Sequence, residues 1–183
     1  TTSHSGDDVY VIPTTQPFAQ SFGVIWDVGG TDTISFSGAG DTRIDLRAAS
    51  LRSELNGAGT PSTAVAANGA TIDGFVIAHG VVIENATSGA GIDVLTGNDV
   101  ANVLNAGDGV DTLTGNAGAD TLIGGAGADT IRYEFDPAGV SVNLQTQTAI
   151  DGWGDTDTLS SIESVDGSNF NDILIGGSGG AGG

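Results

Sequence analysis

Residues 88–132 read SGAGIDVLT, GNDVANVLN, AGDGVDTLT, GNAGADTLI and GGAGADTIR, five nonapeptides in register without an insertion. The template is Gly-Gly-x-Gly-x-Asp-x-U-x, with U a large aliphatic residue. Its sixth place holds Asp93, Asn102, Asp111, Asp120 and Asp129, and its eighth holds Leu95, Leu104, Leu113, Leu122 and Ile131. The first six residues of each unit are glycine-rich, which permits tight turns and positive φ. The last three, such as Val94-Leu95-Thr96, make a very short strand with one aliphatic side chain. Such a strand cannot bury its leucine alone, but stacked copies bury a shared column. Two nonapeptides therefore predict one 18-residue coil of strand, turn, strand, turn, with parallel strands about 4.8 Å apart.

The turns of such a stack line up carbonyl oxygens and Asp carboxylates. That is the donor set of Ca²⁺, which takes six to eight oxygens at about 2.3–2.6 Å. Ions are expected between turns two repeats apart, pairing Asp93 with Asp111, Asn102 with Asp120, and Asp111 with Asp129. The Asn102 pair has one charge fewer and is expected to be the weakest.

Composition points the same way. The 183 residues include 19 Asp, 4 Glu, 4 Arg and no Lys, for a net charge of −19. Aspartate in excess over glutamate, beside 31 Gly, fits turns and metal ligands better than helices. The charge repels nucleic acid and anionic membranes, and it opposes compaction until cations arrive. There is no Cys and hence no disulfide framework. No apolar run is long enough to span a membrane. The amino end is no signal peptide, and the carboxyl end, Gly176-Gly177-Ser178-Gly179 onward, looks like an interrupted repeat with a flexible tail. The sequence reads as a fragment of a longer chain.

Three segments are expected: a β-rich lead-in at 1–87, the β-roll at 88–132, and a linking β segment with the start of a second repeat block at 133–183. In the lead-in, residues 3–11 fit a degraded repeat, with Gly6, Asp8 and Tyr10 in the fourth, sixth and eighth places. Residues 12–22 read as a loop, and 22–36 as strand, turn, strand. Residues 43–46 alternate like a strand. Residues 47–56 fit a short helix or an irregular excursion equally well. Residues 57–70 read as a surface loop, and 75–78 and 81–83 as strands. After the roll, Val140, Val142 and Leu144 predict a longer strand, and Leu159, Ile162 and Val165 one inner column. Asp172 and Leu174 restart the repeat.

The nonapeptide is a known calcium-binding repeat of RTX proteins. The segments Trp26-Asp27-Val28-Gly29-Gly30-Thr31-Asp32-Thr33, Arg43-Ile44-Asp45-Leu46 and Ile77-Ala78-His79-Gly80-Val81-Val82-Ile83-Glu84-Asn85-Ala86 resemble the carboxyl-terminal domain of serralysin-type secreted metallopeptidases. Residues 139–175 are similar instead to segments that link repeat blocks in larger RTX proteins. The resemblance implies an all-β fold, a right-handed parallel β-roll or β-helix solenoid with flanking short strands. It also implies several Ca²⁺ ions, held by turn carbonyls together with the sixth-place Asp. Carried over, Gly89, Gly91 and Asp93 face Ala106, Asp108 and Asp111. Asn98, Val100 and Asn102 face Gly115, Ala117 and Asp120. Gly107, Gly109 and Asp111 face Gly124, Ala126 and Asp129. Further ligands are implied at Asp27, Gly29, Gly30, Asp32 and Glu84, and Asp172 is added as a sixth-place residue. Asn102 and Val100 depart from the pattern.

The zinc signature His-Glu-x-x-His is absent, and only His4 and His79 exist. His79 is expected to be structural. Asp136-Pro137 matches the dipeptide at which some RTX proteins cleave themselves, although X-Pro after a strand is also an ordinary turn. Repeat position leaves Asp45, Asp73, Asp136 and Asp166 unassigned, and a polysaccharide-active enzyme would draw its paired acid and base from them, with Asp45 and Asp73 the ones to vary. Trp26, Trp153, Tyr10 and Tyr133 would be the stacking surface of a sugar-binding module. The leading expectation is a calcium-binding module, not an enzyme, of a secreted bacterial protein exported by a type I route. It folds on Ca²⁺ outside the cell. The alternatives are a calcium-dependent adhesin or polysaccharide-binding module, or a piece of a secreted metallopeptidase or polysaccharide-active enzyme. Expected partners are calcium ions, an extracellular polysaccharide or the rest of a larger secreted chain, with no nucleic acid and no membrane span.

Overall fold

The computed structural model describes residues 4–15, 23–49, 60–66 and 69–177. These residues are all strand, turn and loop, built into two facing stacks of short strands. One stack runs in parallel through Val9–Val11, Thr33–Ser35, Asn85–Thr87, Val103–Gly109, Thr121–Gly127 and Thr156–Ser160. The other runs in parallel through Thr42–Asp45, Val94–Thr96, Thr112–Thr114, Thr130–Arg132 and Ser164–Asp166. The expected register is met: Leu95 lies on Leu113, and Leu104 on Leu122. The chain is an all-β parallel roll.

The eighth-place side chains make two columns. Ile34, Ala86, Leu104, Leu122 and Leu159 fill one, with Tyr10 at its end. Ile44, Leu95, Leu113 and Ile131 fill the other, with Val165 packed beyond them. Leu113 has no solvent exposure and sits mid-column. Leu113→Ala in the calcium-loaded protein is expected to cost about 2–5 kcal/mol, read as a fall in the urea midpoint at unchanged slope.

Coils absorb insertions at their corners. Ile44 and Leu95 are adjacent in space although 51 residues separate them, and Leu122 and Leu159 although 37 do. The first insertion adds the antiparallel strands Thr63–Val65 and Thr71–Asp73 to the edge of Thr42–Asp45, and pairs Gly23–Ile25 with Phe75–Ile77. The second folds Ser141–Asn143 and Thr148–Ile150 antiparallel onto Thr156–Ser160.

Several expectations are corrected. The surface loop expected at 57–70 contains the strand Thr63–Val65, whose small Ala64 is buried opposite Thr42 and Ile72. Residues 81–83 bury Val81 and Ile83 but form no strand, because the Ile83 carbonyl is taken by the Asn98 side-chain amide at 2.8 Å. The longer strand expected across 140–144 stops at Asn143, whose side-chain oxygen accepts the Gln145 and Thr146 N–H groups and turns the chain. Leu159 and Val165 belong to different columns, because the chain turns at Ser161, φ 52°, to cross between stacks. Leu174 follows its repeat place but is 48% exposed, since among the described residues Ile173–Ile175 pairs only with Ser141–Asn143. The helix or excursion expected at 47–56 falls, beyond Ala49, outside the described residues, as do residues 16–22 of the expected loop.

Candidate metal centre

The turns stack as closely as the strands. Gly107 and Gly125 take φ 94° and 110°, and a Cβ on either would overlap the carbonyl oxygen of the glycine 18 residues earlier. Only glycine meets both demands. On this edge the Gly89 and Gly91 carbonyls accept N–H bonds from Asp108 (2.9 Å) and Val110 (3.4 Å).

The sixth-place residues form two rows, one at each side of the roll. In the first, Asp8 N–H donates to Asp32 Oδ1 (2.9 Å), Asp32 N–H to Glu84 Oε2 (2.8 Å), Asn102 N–H to Asp120 Oδ1 (2.8 Å) and Asp120 N–H to Asp157 Oδ1 (3.0 Å). In the second, Thr42 N–H donates to Asp93 Oδ1 (2.6 Å), Asp93 N–H to Asp111 Oδ1 (2.8 Å), Asp111 N–H to Asp129 Oδ1 (2.9 Å) and Asp129 N–H to Glu163 Oε2 (2.8 Å). Each carboxylate thus grips the backbone one coil back. The expected Asp93–Asp111, Asn102–Asp120 and Asp111–Asp129 neighbours are all in place.

The second oxygens behave differently. Oδ2 of Asp32, Asp93, Asp111, Asp120 and Asp129 is buried and accepts no hydrogen bond. In the same rows, the first-place Gly115 and Gly124 lie directly against Asp120 Oδ2 and Asp129 Oδ2, where a Cβ would not fit. A buried anionic oxygen without a partner is costly. Burial, with the charges of neighbouring acids, pushes Asp111 up to about 6 and Asp120 up to about 8. Among the described residues the arginine ion pairs go elsewhere: Arg43 and Arg47 contact Asp45, and Arg132 contacts Asp166. The donors are hard, anionic and all oxygen. They fit Ca²⁺ and, lacking His or Cys, do not fit zinc.

Asn102 differs as its neutral amide implies. Its Oδ1 accepts Asn98 N–H (2.8 Å), and its Nδ2 donates to Glu84 O (2.9 Å) and Asn98 Oδ1 (3.2 Å). Asn98 in turn ties Leu46 and Ile83 carbonyls. Of the other expected positions, Val100, Asp108 and Ala126 lie exposed on the turns, Gly109 and Ala117 are half-buried, and Ala106 is buried with its carbonyl accepting Ser88 Oγ. Asp172 Oδ1 accepts Val140 N–H (2.9 Å) and Ser168 Oγ (2.6 Å).

In the lead-in, Asp8, Asp27 and Asp32 bring one carboxylate oxygen each within 4.8 Å of one another. Asp27 accepts the Tyr10 hydroxyl on one oxygen and the Val28 and Gly29 N–H groups on the other. The Tyr10 bond, with these N–H bonds, holds it below the usual carboxylate range despite burial. Gly29 and Gly30 turn there with φ 140° and 138°.

Glu163 was not expected in a row. Its signal is legible in retrospect: Ile162-Glu163-Ser164-Val165 repeats the pattern of Ile83-Glu84-Asn85-Ala86. Each glutamate immediately precedes a short strand of the roll, and each reaches the N–H of an Asp in the preceding coil. Asp8 and Asp157 sit in sixth places of worn repeats. Of the acids weighed for catalysis, Asp45 is buried and tied to Arg47 at 2.7 Å. Tyr133 is no surface aromatic: it is buried, and its hydroxyl donates to Asp157 Oδ2 at 3.0 Å. His79 Nδ1 lies 3.2 Å from the Ala49 carbonyl.

Known proteins share this pattern. RTX calcium-binding nonapeptide repeats, a four-copy family unit, match residues 84–113, 96–131 and 160–180. A serralysin of Photorhabdus laumondii subsp. laumondii is 47% identical over 81 residues, covering 43% of this chain and 14% of that protein. A metallopeptidase AprA of Pseudomonas marginalis is 40% identical over 81 residues, covering 44% and 14%. A serralysin of Proteus mirabilis is 36% identical over 114 residues, covering 57% and 20%. The chain thus spans between 14% and 20% of the length of these curated relatives. It has no His-Glu-x-x-His. Among the described residues no helix is long and apolar enough to cross a membrane. Repeat sequence, parallel coils and rows of buried carboxylates together mark a calcium-binding β-roll module that carries RTX repeats and is similar to part of the serralysins.

Proposed function

We propose that the module folds on calcium outside the cell and so stabilises a secreted, larger chain, with export by a type I route. The observation that carries this reading is the pair of rows whose buried Oδ2 atoms accept no hydrogen bond. In a cytosol poor in free Ca²⁺, a net charge of −19 and these buried acids favour an open chain. Calcium supplies the opposite charge and the missing coordination. The ligands are the sixth-place carboxylates Asp93, Asp111, Asp120 and Asp129, with turn carbonyls of Gly89, Gly91, Ala106, Gly107, Asp108, Gly109, Gly115, Ala117, Gly124 and Ala126. Asp27, Gly29, Gly30, Asp32 and Glu84 serve the lead-in. Asn98, Val100 and Asn102 give a weaker site, and Asp172 closes the last coil.

Extracellular calcium modules bind at roughly 10⁻⁴–10⁻³ M, and at ten times such a constant each site adds about 1.4 kcal/mol. Titrating Ca²⁺ into chelator-treated protein is expected to produce a steep gain of β signal in far-ultraviolet circular dichroism, with no gain from Mg²⁺. A chain equally folded in chelator would sink the reading. Asn102→Asp should add calcium affinity while destabilising the metal-free chain. Calorimetric titration of the variant beside the parent checks both the site and its assigned weakness.

A second reading rests on a groove of about 530 Å³ lined by Arg47, His79, Asp99, Asn116, Phe135 and Trp153, among others. Phe135 and Trp153 are exposed beside these polar groups, the arrangement that stacks a sugar ring. Under this reading the module also holds an extracellular polysaccharide. Retention on immobilised polysaccharide in calcium, lost in Trp153→Ala, is the expected result, and equal passage of parent and variant would remove it.

A further inference from the structure

The second insertion, residues 133–155, interrupts the repeats and lies outside the residues that match them. It nevertheless gathers buried acids. Asp136 and Asp151 are 5% and 3% exposed, and they join Asp120 and Asp157 of the first row, which are 1% and 0% exposed. Three of the eight oxygens are engaged by the backbone of this joint. Asp151 Oδ1 accepts the N–H groups of Trp153 (3.0 Å), Gly154 (2.7 Å) and Asp155 (2.7 Å). Asp136 Oδ2 accepts Gly152 N–H (2.8 Å), and Asp157 Oδ1 accepts Asp120 N–H (3.0 Å). Asp157 Oδ2 takes the Tyr133 hydroxyl. Asp151 Oδ2 and Asp120 Oδ2 remain buried and accept no hydrogen bond.

The electrostatics of this joint are one-sided. Burial pushes Asp120 up to about 8 and Asp136 and Asp157 up to about 6, and the charges of Asp151 and Asp157 add to the effect. Among the described residues none of these four acids has an ion pair with a basic side chain. Asp151 holds no sixth place, so no repeat logic explains its burial. A turn that spends three N–H groups on one carboxylate oxygen fixes the other oxygen in position. Four buried carboxylates without a basic partner are stable together only with an added cation or with protons.

We infer that Asp151 and Asp120 hold a divalent cation of calcium type at this joint, through their Oδ2 atoms, with Asp136 and Asp157 supplying further negative charge. The site rests on the calcium reading, and its Asp151 and Asp136 lie outside the repeat template that places Asp120 and Asp157. It would add a metal tie to the strand pairing that joins the inserted hairpin, through Thr156–Ser160, to Thr121–Gly127.

Trp153 is a built-in reporter, since its own N–H binds Asp151. The parent, Asp151→Asn and Asp93→Asn are compared for bound Ca²⁺ by native mass spectrometry and for fold by circular dichroism in calcium. In a Trp26→Phe background, Tb³⁺ emission excited through tryptophan then reports the ions nearest Trp153, at the joint and at the neighbouring Asn98 and Val100 turn. Asp151→Asn keeps an oxygen for the three N–H groups and removes the charge. The expected result is one ion fewer in Asp151→Asn, with a fall in the tryptophan-excited emission, while Asp93→Asn keeps that emission. An unchanged ion number in Asp151→Asn overturns the inference. So does a Trp26→Phe protein with no tryptophan-excited emission, a result that stands even if Asp151→Asn fails to fold. A parent that binds no Ca²⁺ at all defeats the calcium reading itself, whereas the first two outcomes leave that reading intact.

Discussion

In chelator, thermal stability is expected to rise as pH falls from 8 toward 4.5, and in millimolar calcium to fall over the same range. The sign follows from the buried acids. An unfolded Asp titrates near 3.9, whereas burial first, and neighbouring charge second, raise Asp111, Asp136 and Asp157 to about 6 and Asp120 to about 8. Burial likewise raises Asp93 and Asp129. Between the two values the folded chain binds more protons than the unfolded one, so stability falls as pH rises. The contribution is fully present below about 4 and is lost through 6 to 8. Each pH unit over which one such carboxyl is protonated only in the fold is worth about 1.4 kcal/mol. Calcium reverses the slope because it needs the carboxylates ionised. The gap between melting curves with and without calcium should therefore be widest near pH 8 and close toward pH 4.5. Parallel slopes in the two conditions would show that the rows titrate as ordinary surface acids.

Acid would then imitate part of what calcium does, by neutralising the same oxygens. The two agents differ in what they leave behind. A proton removes charge but does not coordinate several oxygens of adjacent turns at once, as Ca²⁺ does. The acid form should accordingly bind hydrophobic dyes and lack the sharp melting of the calcium form.

The strict repeat was readable because each of its residues answers to one physical demand. Leu95, Leu104, Leu113 and Leu122 must point inward, the glycines must let turns stack, and the acids must line up at 18-residue spacing. Register, columns and row neighbours follow from those demands alone. The worn regions lack this redundancy. Thr63–Val65 is a strand because Ala64 is small enough to be buried at an edge, which composition reads as loop. Asn143 ends a strand by a side-chain bond to the turn it begins, and alternation of Val140, Val142 and Leu144 does not register that. Asp151 is buried by a turn that closes on its own backbone, so nothing at repeat spacing announces it. Glu163 lay between the two cases: its match to Glu84 was present in the residues, but its distance from the roll obscured that it would continue the row of Asp129.

Asp111→Asn is expected to change stability in opposite directions in the two conditions. Asp111 stands in the middle of the second row, with Asp93 N–H on its Oδ1 and its own N–H on Asp129. The asparagine oxygen can accept the same N–H, so the backbone ladder survives the change. In chelator the variant loses a buried charge that Asp93, Asp129 and Asp108 repel, and it should be the more stable protein. In calcium it loses a ligand that the proposed sites on either side share. With about 1.4 kcal/mol per site at tenfold saturation, the calcium-dependent part of its stability should shrink by roughly 3 kcal/mol. Urea unfolding of parent and variant, each in chelator and in saturating calcium, gives the four midpoints that decide it. A variant destabilised equally in both conditions would assign Asp111 to the backbone ladder alone.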